Sequence, residues 1–389
     1  MMKAYFSLII IMASLLMAPC YADKTDVEYA DNTDTEQVVD INVDVADAAD
    51  TEYADEADEE YADEIDEEEP EDDAEEELEG DSEESGLIST SLMVQWFPQA
   101  QFAGYYVALE NGIYEEYGLD VEIFYATPDE FAVDYLVWEE VDFITAWLPT
   151  ALKENDNDNN FVNLAQIVQK SSLMFVAKKE SGISTLSDFN GKKMSIWSKD
   201  YEAPPRIFIA KNGLDVDVIM QGTTVNLFLR DGVDIATATW YNEYDTIINS
   251  GYDPEDITTF FFKDYGLDLP EDGIYTRGDL YEEDSDMCDA FVKASLEGWR
   301  YAFDNKEEAI DIIMMYMEDE EIPASRVHQE WMLDRMEEII KGDSNEISGE
   351  LREEDYRRVV DAMKEEGIIT NSMEYKEFFK PMIEAQPSP

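Results

Sequence analysis

The sequence predicts an α/β fold of two lobes joined by a hinge that the chain crosses twice. Short apolar runs, typical of buried strands, alternate with segments of helical periodicity up to Met287, and the pattern is helical from there to the end. About 300 residues remain once the unusual N-terminal segments are set aside, which is enough for two domains.

The first predicted lobe comprises residues 87–178 and 272–389. It opens with a strand over 92–95 and a helix over 104–117, for which Gly118 is a natural C-terminal cap. The remaining elements are the strand 121–125, the helix 131–138, the strand 141–147, a helix beginning at 150, and the strands 161–168 and 173–177.

The second predicted lobe comprises residues 179–271. It contains the strands 194–197, 216–220 and 235–239 and the helices 206–212, 225–231 and 240–250. The chain then returns to the first lobe through apolar runs at 257–262 and 273–276. Two crossings make a hinge, and a cleft between two hinged lobes is a usual place for a small ligand.

Aromatic, amide and other polar side chains follow several of these strands, where ligands bind in open α/β sheets. Ring faces with a few hydrogen-bonding groups suit a flat heterocycle with polar edges, although each ring taken alone is more often a packing residue. The candidate ligand-binding residues are Trp96, Gln99, Phe102, Trp147, Gln169, Ser171, Trp197, Tyr241, Glu243 and Tyr244.

The acidic residues near the predicted cleft each have two possible roles. Glu243 is either a hydrogen-bond acceptor for the ligand or an exposed acid that the helix dipole stabilises. Glu271 and Asp272, near the return crossing, either contribute acceptors in the same way or face solvent.

The N-terminus has the features of a secretory signal peptide, residues 1–22. Lys3 precedes an apolar run over 5–17, and Cys20-Tyr-Ala22 has small residues where a signal peptidase cleaves. The alternative is that Cys20 becomes lipidated after processing. Either way only Cys288 remains, so no disulfide framework is expected. The protein is predicted to work in the periplasm or on the extracellular face.

Residues 23–86 are predicted to be a disordered acidic spacer. They contain 32 acidic residues and one lysine, and few large apolar side chains that could offset the entropy of ordering. The whole chain has 94 acidic and 26 basic residues, a net charge of −68, so the remainder is strongly acidic too. This charge argues against nucleic acid and anionic membrane surfaces as partners.

Motifs for catalysis or metal binding are weak, so we predict no enzymatic activity, no cofactor and no metal. The single His328 lies in an amphipathic helical segment, where a core or surface role is expected. The acidic and amide run 155–160 lacks the glycine and terminal glutamate of a calcium loop. No phosphate-binding glycine loop or nucleophile elbow is present.

The segment QWFPQAQFAGYYVALENGIYEEYGLDVEI, residues 95–123, resembles the opening of the ABC-transporter solute-binding proteins that carry thiamine-pyrimidine precursors. This ThiY-like branch belongs to the group that also contains sulfonate and nitrate binders. The segments ASLEGWRYAFDNKEEA at 294–309 and HQEWML at 328–333 resemble the same group. The likeness runs from about Met93 to Phe379.

The resemblance implies a two-lobed periplasmic binding protein fold of type II, with the ligand in the cleft between the lobes. In that family a glutamate at the place of Glu243 accepts hydrogen bonds from an aminopyrimidine. The implied partners are a pyrimidine-like small molecule and an ABC permease in the membrane, and the implied state is a monomer. Fungal pyrimidine-precursor synthases share the fold family, but this chain lacks their cysteine-rich motif.

Two alternatives stay open at this point. The chain is either a transport protein or a ligand-sensing receptor domain for a membrane signalling protein. Its ligand is a pyrimidine precursor or another solute, such as a riboflavin-like molecule, a sulfonate or nitrate. The lack of a clear arginine cluster near the strand ends counts against the two anions, which need cationic or multiple N–H donors.

Overall fold

The structure, a computed structural model, describes residues 86–382. The predicted signal peptide, with Cys20, and the predicted acidic spacer up to residue 85 lie outside these residues. Within residues 86–382 no helix is long and apolar enough to cross a bilayer.

Ten strands in the described residues form two five-stranded sheets. Their bounds are β1 Ile88–Val94, β2 Leu119–Tyr125, β3 Phe143–Trp147, β4 Phe161–Gln166, β5 Leu173–Lys178, β6 Lys192–Ile196, β7 Val216–Met220, β8 Ile235–Thr239, β9 Ile257–Phe261 and β10 Asp272–Arg277.

Helices cover the sheets and make up most of the chain after β10. Their bounds are α1 Ala103–Glu110, α2 Ile113–Glu116, α3 Ala132–Val137, α4 Leu148–Asp156, α5 Ala203–Lys211, α6 Asn226–Leu229, α7 Glu243–Asn249, α8 Gly278–Glu283, α9 Ser285–Asp304, α10 Lys306–Asp319, α11 Arg326–Lys341, α12 Glu353–Glu365 and α13 Tyr375–Phe378.

The two sheets have the same topology. The first has the order β2-β1-β3-β10-β4 and the second the order β7-β6-β8-β5-β9. In each sheet the first three strands are parallel, and the fourth pairs antiparallel with both of its neighbours. We call the elements around the first sheet lobe 1 and those around the second sheet lobe 2.

One predicted boundary between the lobes is wrong. Strand β5 was expected in lobe 1, but it pairs with β8 and β9 in the second sheet, so the chain crosses between β4 and β5. A buried antiparallel strand has the same continuous apolar sequence as a parallel one, so its partner sheet is not readable from the pattern. The return crossing lies between β9 and β10.

The helix predicted over 104–117 is two helices, α1 and α2. Gly112 between them has φ +68°, a left-handed conformation that a glycine adopts without strain and that interrupts the helical hydrogen-bond pattern. Gly118, the predicted cap, also has positive φ, at +83°.

The core of lobe 1 is formed largely by the long helix α9 lying against α1 and the first sheet. A side chain at Gly298 would lie only 2.2 Å from the carbonyl oxygen of Gly104, so both glycines are needed for the close approach of the two helices. Phe291 on α9 stacks on Phe143 of β3, with ring centroids 4.1 Å apart, and on Tyr114 of α2.

A second core runs from lobe 1 into lobe 2. Ile144 and Trp147 of the first sheet belong to the same buried cluster as Phe175 of the second. Phe175 packs against Phe208, with ring centroids 5.1 Å apart, and α12 contacts both α4 and α5. The lobes are therefore packed together beside the hinge.

Candidate ligand-binding site

A cavity of about 160 Å³ lies between the lobes. The loops after β1 and β2 and the last residue of β3 supply its lobe 1 wall. The segments at the ends of β6, β7 and β8 supply its lobe 2 wall. The lining residues are Gln95, Trp96, Gln99, Gln101, Pro128, Phe131, Trp147, Trp197, Ser198, Tyr201, Gln221, Gly222, Thr223, Thr239, Tyr241, Asn242 and Glu243.

The aromatic rings of the two lobes meet at this cavity. The rings of Trp147 and Tyr201 are edge-to-face, with centroids 4.8 Å apart, and Trp197 and Trp96 approach the same pair at 6.2 and 6.1 Å. The Tyr201 hydroxyl also donates a hydrogen bond to the carbonyl oxygen of Gln95, at 2.9 Å, and so ties lobe 2 to lobe 1. Such edge-to-face contacts leave ring faces available for a flat ligand.

The lobe 1 wall contains a chain of amides that ends on a buried carboxylate. Gln99 Nε2 donates to Gln101 Oε1 at 2.7 Å, and Gln101 Nε2 donates to Asp272 Oδ2 at 2.8 Å. Gln95 Nε2 donates to the other oxygen of Asp272 at 2.7 Å. All four side chains are buried. Of the two alternatives for Glu271 and Asp272, exposure to solvent is therefore wrong.

The lobe 2 wall contributes Glu243, at the start of α7, which is the one carboxylate that residues 86–382 place in the lining. Its Oε2 accepts hydrogen bonds from the backbone N–H and the hydroxyl of Thr239, at 2.9 and 2.6 Å, and its Oε1 accepts one from Asn242 at 3.2 Å. The side chain is half-buried rather than exposed. Burial raises the pKa of Glu243 above its usual value.

Basic side chains are absent from the lining. Within residues 86–382, no Lys, Arg or His borders the cavity. A cation lies close behind the wall, since Lys199 Nζ is 3.9 Å from the ring centroid of Phe131. The polar groups that border the cavity are thus amides, hydroxyls and Glu243.

A second set of contacts joins the lobes on the far side of Glu243. His328 on α11 bonds Asp245 Oδ2 through Nδ1 at 2.7 Å and Asn242 Oδ1 through Nε2 at 3.0 Å. Trp331 Nε1 donates to the carbonyl oxygen of Trp240 at 3.1 Å. His328 is therefore a partly buried residue that connects α11 to α7, which agrees with the structural role predicted for it.

Six of the ten predicted site residues line the cavity together. They share the position that the sequence identified, just after a strand end: Trp96, Gln99, Trp147, Trp197, Tyr241 and Glu243.

The other four lie elsewhere. Phe102 is fully buried in the lobe 1 core, and Tyr244 turns away from the cavity toward Trp331. Gln169 and Ser171 belong to the first crossing: Gln169 Nε2 bonds the carbonyl oxygens of Gln166 and Glu350, and the Ser171 hydroxyl bonds Glu271. The polar side chains at this strand end, which leads into the hinge, form their hydrogen bonds with other protein groups and not with a ligand.

Several lining residues were missed by sequence reasoning. Gln221 directly follows β7 and obeys the strand-end rule that found the others, so the sequence did contain a signal for it. Gln95 and Gln101 flank the predicted Gln99 in the same loop. Phe131 and Tyr201 lie beside short helices, where the sequence pattern does not distinguish a lining ring from a packing ring.

Comparisons with known proteins identify the family of this chain. The family model described as NMT1/THI5 like matches residues 99–309, more than half of the chain. The chain belongs to the NMT1/THI5-like family. The match begins in the amide loop after β1 and extends through the whole of lobe 2 into α10.

Two curated proteins are similar to this NMT1/THI5-like chain. The formylaminopyrimidine-binding protein of Halalkalibacterium halodurans is 23% identical over 276 residues, which cover 69% of this chain and 82% of that protein. The riboflavin-binding protein RibY of Chloroflexus aurantiacus is 22% identical over 244 residues, which cover 61% of this chain and 68% of that protein.

The fold of this NMT1/THI5-like chain is that of the periplasmic binding proteins, as predicted. The periplasmic aliphatic sulphonate binding protein SsuA from Escherichia coli superposes with a TM-score of 0.60 at 11% identity. The superposition covers 77% of this chain and 94% of SsuA. The two-lobed type II architecture is confirmed.

The hinge of this NMT1/THI5-like protein contains two adjacent buried acids. The carboxylate of Glu271 accepts hydrogen bonds from the backbone N–H of Ser172, at 2.6 Å, and from its hydroxyl. The backbone carbonyl of Asp272 accepts from Ile167 and Val168, at 3.0 and 2.9 Å. Both chain crossings are thereby bonded to each other.

Burial raises the pKa of both Glu271 and Asp272. Burial and then the neighbouring charge of Asp272 raise the pKa of Glu271 from 4.5 to about 8. Burial raises the pKa of Asp272 from 3.8 to about 6. The folded protein therefore holds protons that the unfolded chain has released, from about pH 4 up to about pH 8.

We expect these two carboxyls to make the free energy of unfolding fall as pH rises from about 5 to 8. Because the folded state binds more protons than the unfolded state in this window, each contributes a slope of at most about 1.4 kcal/mol per pH unit. Glu271→Gln removes the group with the higher pKa and should flatten the slope between pH 6 and 8. Urea unfolding at several pH values measures this. An equal slope in wild type and variant would contradict the assignment.

Proposed function

We propose that the chain is an extracytoplasmic solute-binding protein of an ABC importer, which encloses a small aromatic heterocycle between its lobes and presents it to a membrane permease. The ligand class is that of thiamine pyrimidine precursors. No bond is made or broken. The ligand stabilises the closed form because it contacts both lobes at once.

The observation that supports this proposal is the chemistry of the cavity. Six aromatic side chains border it, with amides, hydroxyls and a single carboxylate, and no basic side chain of the described residues does. Aromatic side chains can stack on any flat π-system. The carboxylate of Glu243 is suited to accept a hydrogen bond from an exocyclic amine or a ring N–H. We infer that Trp96, Trp147, Trp197 and Tyr241 contact the ring, while Gln99 and Glu243 contact its edges.

The same chemistry argues against the anionic ligands. Sulfonate and nitrate binding needs cationic groups or several converging N–H donors, and the carboxylate of Glu243 would repel either anion. The similarity to a riboflavin-binding protein favours a flavin-like solute as a second candidate. The cavity volume of about 160 Å³ is small compared with typical ligand pockets of about 300–1,000 Å³, and so favours a single ring.

Substituted 4-aminopyrimidines should raise the melting temperature of the purified protein. A ligand present at about 100 times its dissociation constant stabilises the folded state by about 2.7 kcal/mol. Differential scanning fluorimetry with a panel of 4-aminopyrimidines, riboflavin, alkanesulfonates and nitrate measures the effect. If an alkanesulfonate or nitrate stabilises the protein and no heterocycle does, the proposal is wrong.

Glu243→Gln should weaken pyrimidine binding. The substitution keeps the shape of the side chain and an acceptor oxygen but removes the charge that strengthens a hydrogen bond from the ligand amine, a loss of about 1 kcal/mol. Isothermal titration calorimetry measures the affinity.

Glu297→Gln on α9 is the matched control, because its carboxylate accepts a hydrogen bond from Tyr117, directly after α2 in lobe 1, and does not border the cavity. It should bind as the wild type does. An unchanged affinity for Glu243→Gln would leave Glu243 with the structural role of holding Thr239.

A further inference from the structure

The direction of each amide in the lobe 1 wall follows from the chemistry of Asp272. An ionised carboxylate only accepts hydrogen bonds, so Gln95 and Gln101 must both turn their NH₂ groups toward it. The oxygen of Gln101 then points to Gln99, which must present its own NH₂ group. One carboxylate thus sets the orientation of three amides, two directly and one through Gln101.

This arrangement uses one N–H of Gln95 and one of Gln99 and leaves the side-chain oxygens of both without a donor in the described part of the protein. Within residues 86–382 the side-chain oxygens of Gln95 and Gln99 accept no hydrogen bond, and both residues border the cavity. Glu243 borders the cavity from the opposite lobe and also has only acceptor atoms. Each wall therefore offers acceptor atoms to a ligand, the glutamine oxygens on lobe 1 and the carboxylate on lobe 2.

Asp272 carries its charge without a cation. It is 4% exposed, and among the described residues no Lys, Arg or His pairs with it. Burial raises the pKa of Asp272, and the hydrogen bonds that its oxygens accept from Gln101 and Gln95 offset part of that rise. Burial of a carboxylate without a cation has a large desolvation free energy. An apolar side chain of similar volume at this position would avoid that desolvation, so stability alone does not account for an acid here.

We propose that Asp272 is a positioning residue that fixes the amides of Gln95, Gln99 and Gln101, so that the cavity selects ligands whose edges carry N–H or O–H donors. The inference deepens the proposed function and rests on it, because it assigns the residue that makes the site specific for an amine-bearing heterocycle. Asp272 itself contacts no ligand. It acts through the two glutamines that it binds.

The proposal also accounts for closure. A ring with donors on two edges satisfies the glutamine oxygens of lobe 1 and the Glu243 carboxylate of lobe 2 together. A ring with a donor on one edge leaves a buried acceptor unpaired in one of the lobes, which is unfavourable. Selectivity and closure therefore depend on the same amide orientation.

The test compares two probes of equal size, 4-(methylamino)pyrimidine and 4-methoxypyrimidine, by calorimetry at pH 8. Only the first has an N–H donor. Wild type should prefer it by at least about tenfold, since the ether leaves an acceptor of the wall unpaired. Asp272→Asn keeps the size of the side chain but adds an NH₂ group, so one glutamine can invert and offer a donor. The preference should then fall below about threefold.

Gln101→Met is the second variant. It tests whether amide orientation sets the preference for the amine probe even if Asp272→Asn does not fold. It leaves Asp272 in place and breaks the chain to Gln99, so the preference should fall again. Asp355→Asn is the control, because Asp355 is equally buried but pairs with Arg352 and Arg358 away from the cavity. It should keep the wild-type preference.

The outcomes separate the two proposals. If wild type binds neither probe, the proposed function is wrong and this inference fails with it. If wild type prefers the amine and both Asp272→Asn and Gln101→Met weaken the two probes equally, Asp272 is only structural. In that case the inference is overturned while the proposed function stands.

Discussion

Two adjacent buried acids, Glu271 and Asp272, hold the hinge and the amide loop together where the chain returns to lobe 1. The Glu271 carboxylate binds Ser172 on the other crossing, and the Asp272 backbone binds Ile167 and Val168. The Asp272 side chain meanwhile holds the amide loop of the cavity. The two adjacent acids thus connect the hinge to the amide loop, and within residues 86–382 neither is paired with a Lys, Arg or His.

The cavity combines large ring surfaces with groups that mostly accept hydrogen bonds. Rings from both lobes meet around Trp147 and Tyr201, while Gln99 and Glu243 lie on opposite walls. A strongly acidic protein does not attract anions, and this site does not offer them a basic side chain from the described residues. The distribution of charge and the shape of the cavity favour the same kind of ligand, a neutral or cationic flat ring.

The sequence predicted much of this arrangement because strand ends are readable from periodicity. Trp96, Trp147 and Glu243 were found by that rule. The rule failed where a strand end led into the hinge, as at Gln169, because hydrogen bonds between crossings are long-range contacts. It also could not predict that β5 pairs in the second sheet, since the partner of a buried apolar strand is decided by tertiary packing.

The broken helix shows a different limit. A helical pattern continues through Gly112, and only the backbone conformation of that glycine separates α1 from α2. The sequence pattern also could not predict the orientations of the amides. They follow from the hydrogen bonds of Gln95 and Gln101 to Asp272, which is more than 170 positions away along the chain.

The ligand that we propose for the cavity is a small aromatic ring with amine donors. Native mass spectrometry of the full chain, purified without added ligand from the organism that makes it, tests this most directly, with release and identification of whatever molecule is bound. The account predicts a single-ring nitrogen heterocycle with an exocyclic amine, released when Glu243 is replaced. A bound alkanesulfonate, nitrate or other molecule without an aromatic ring would contradict it.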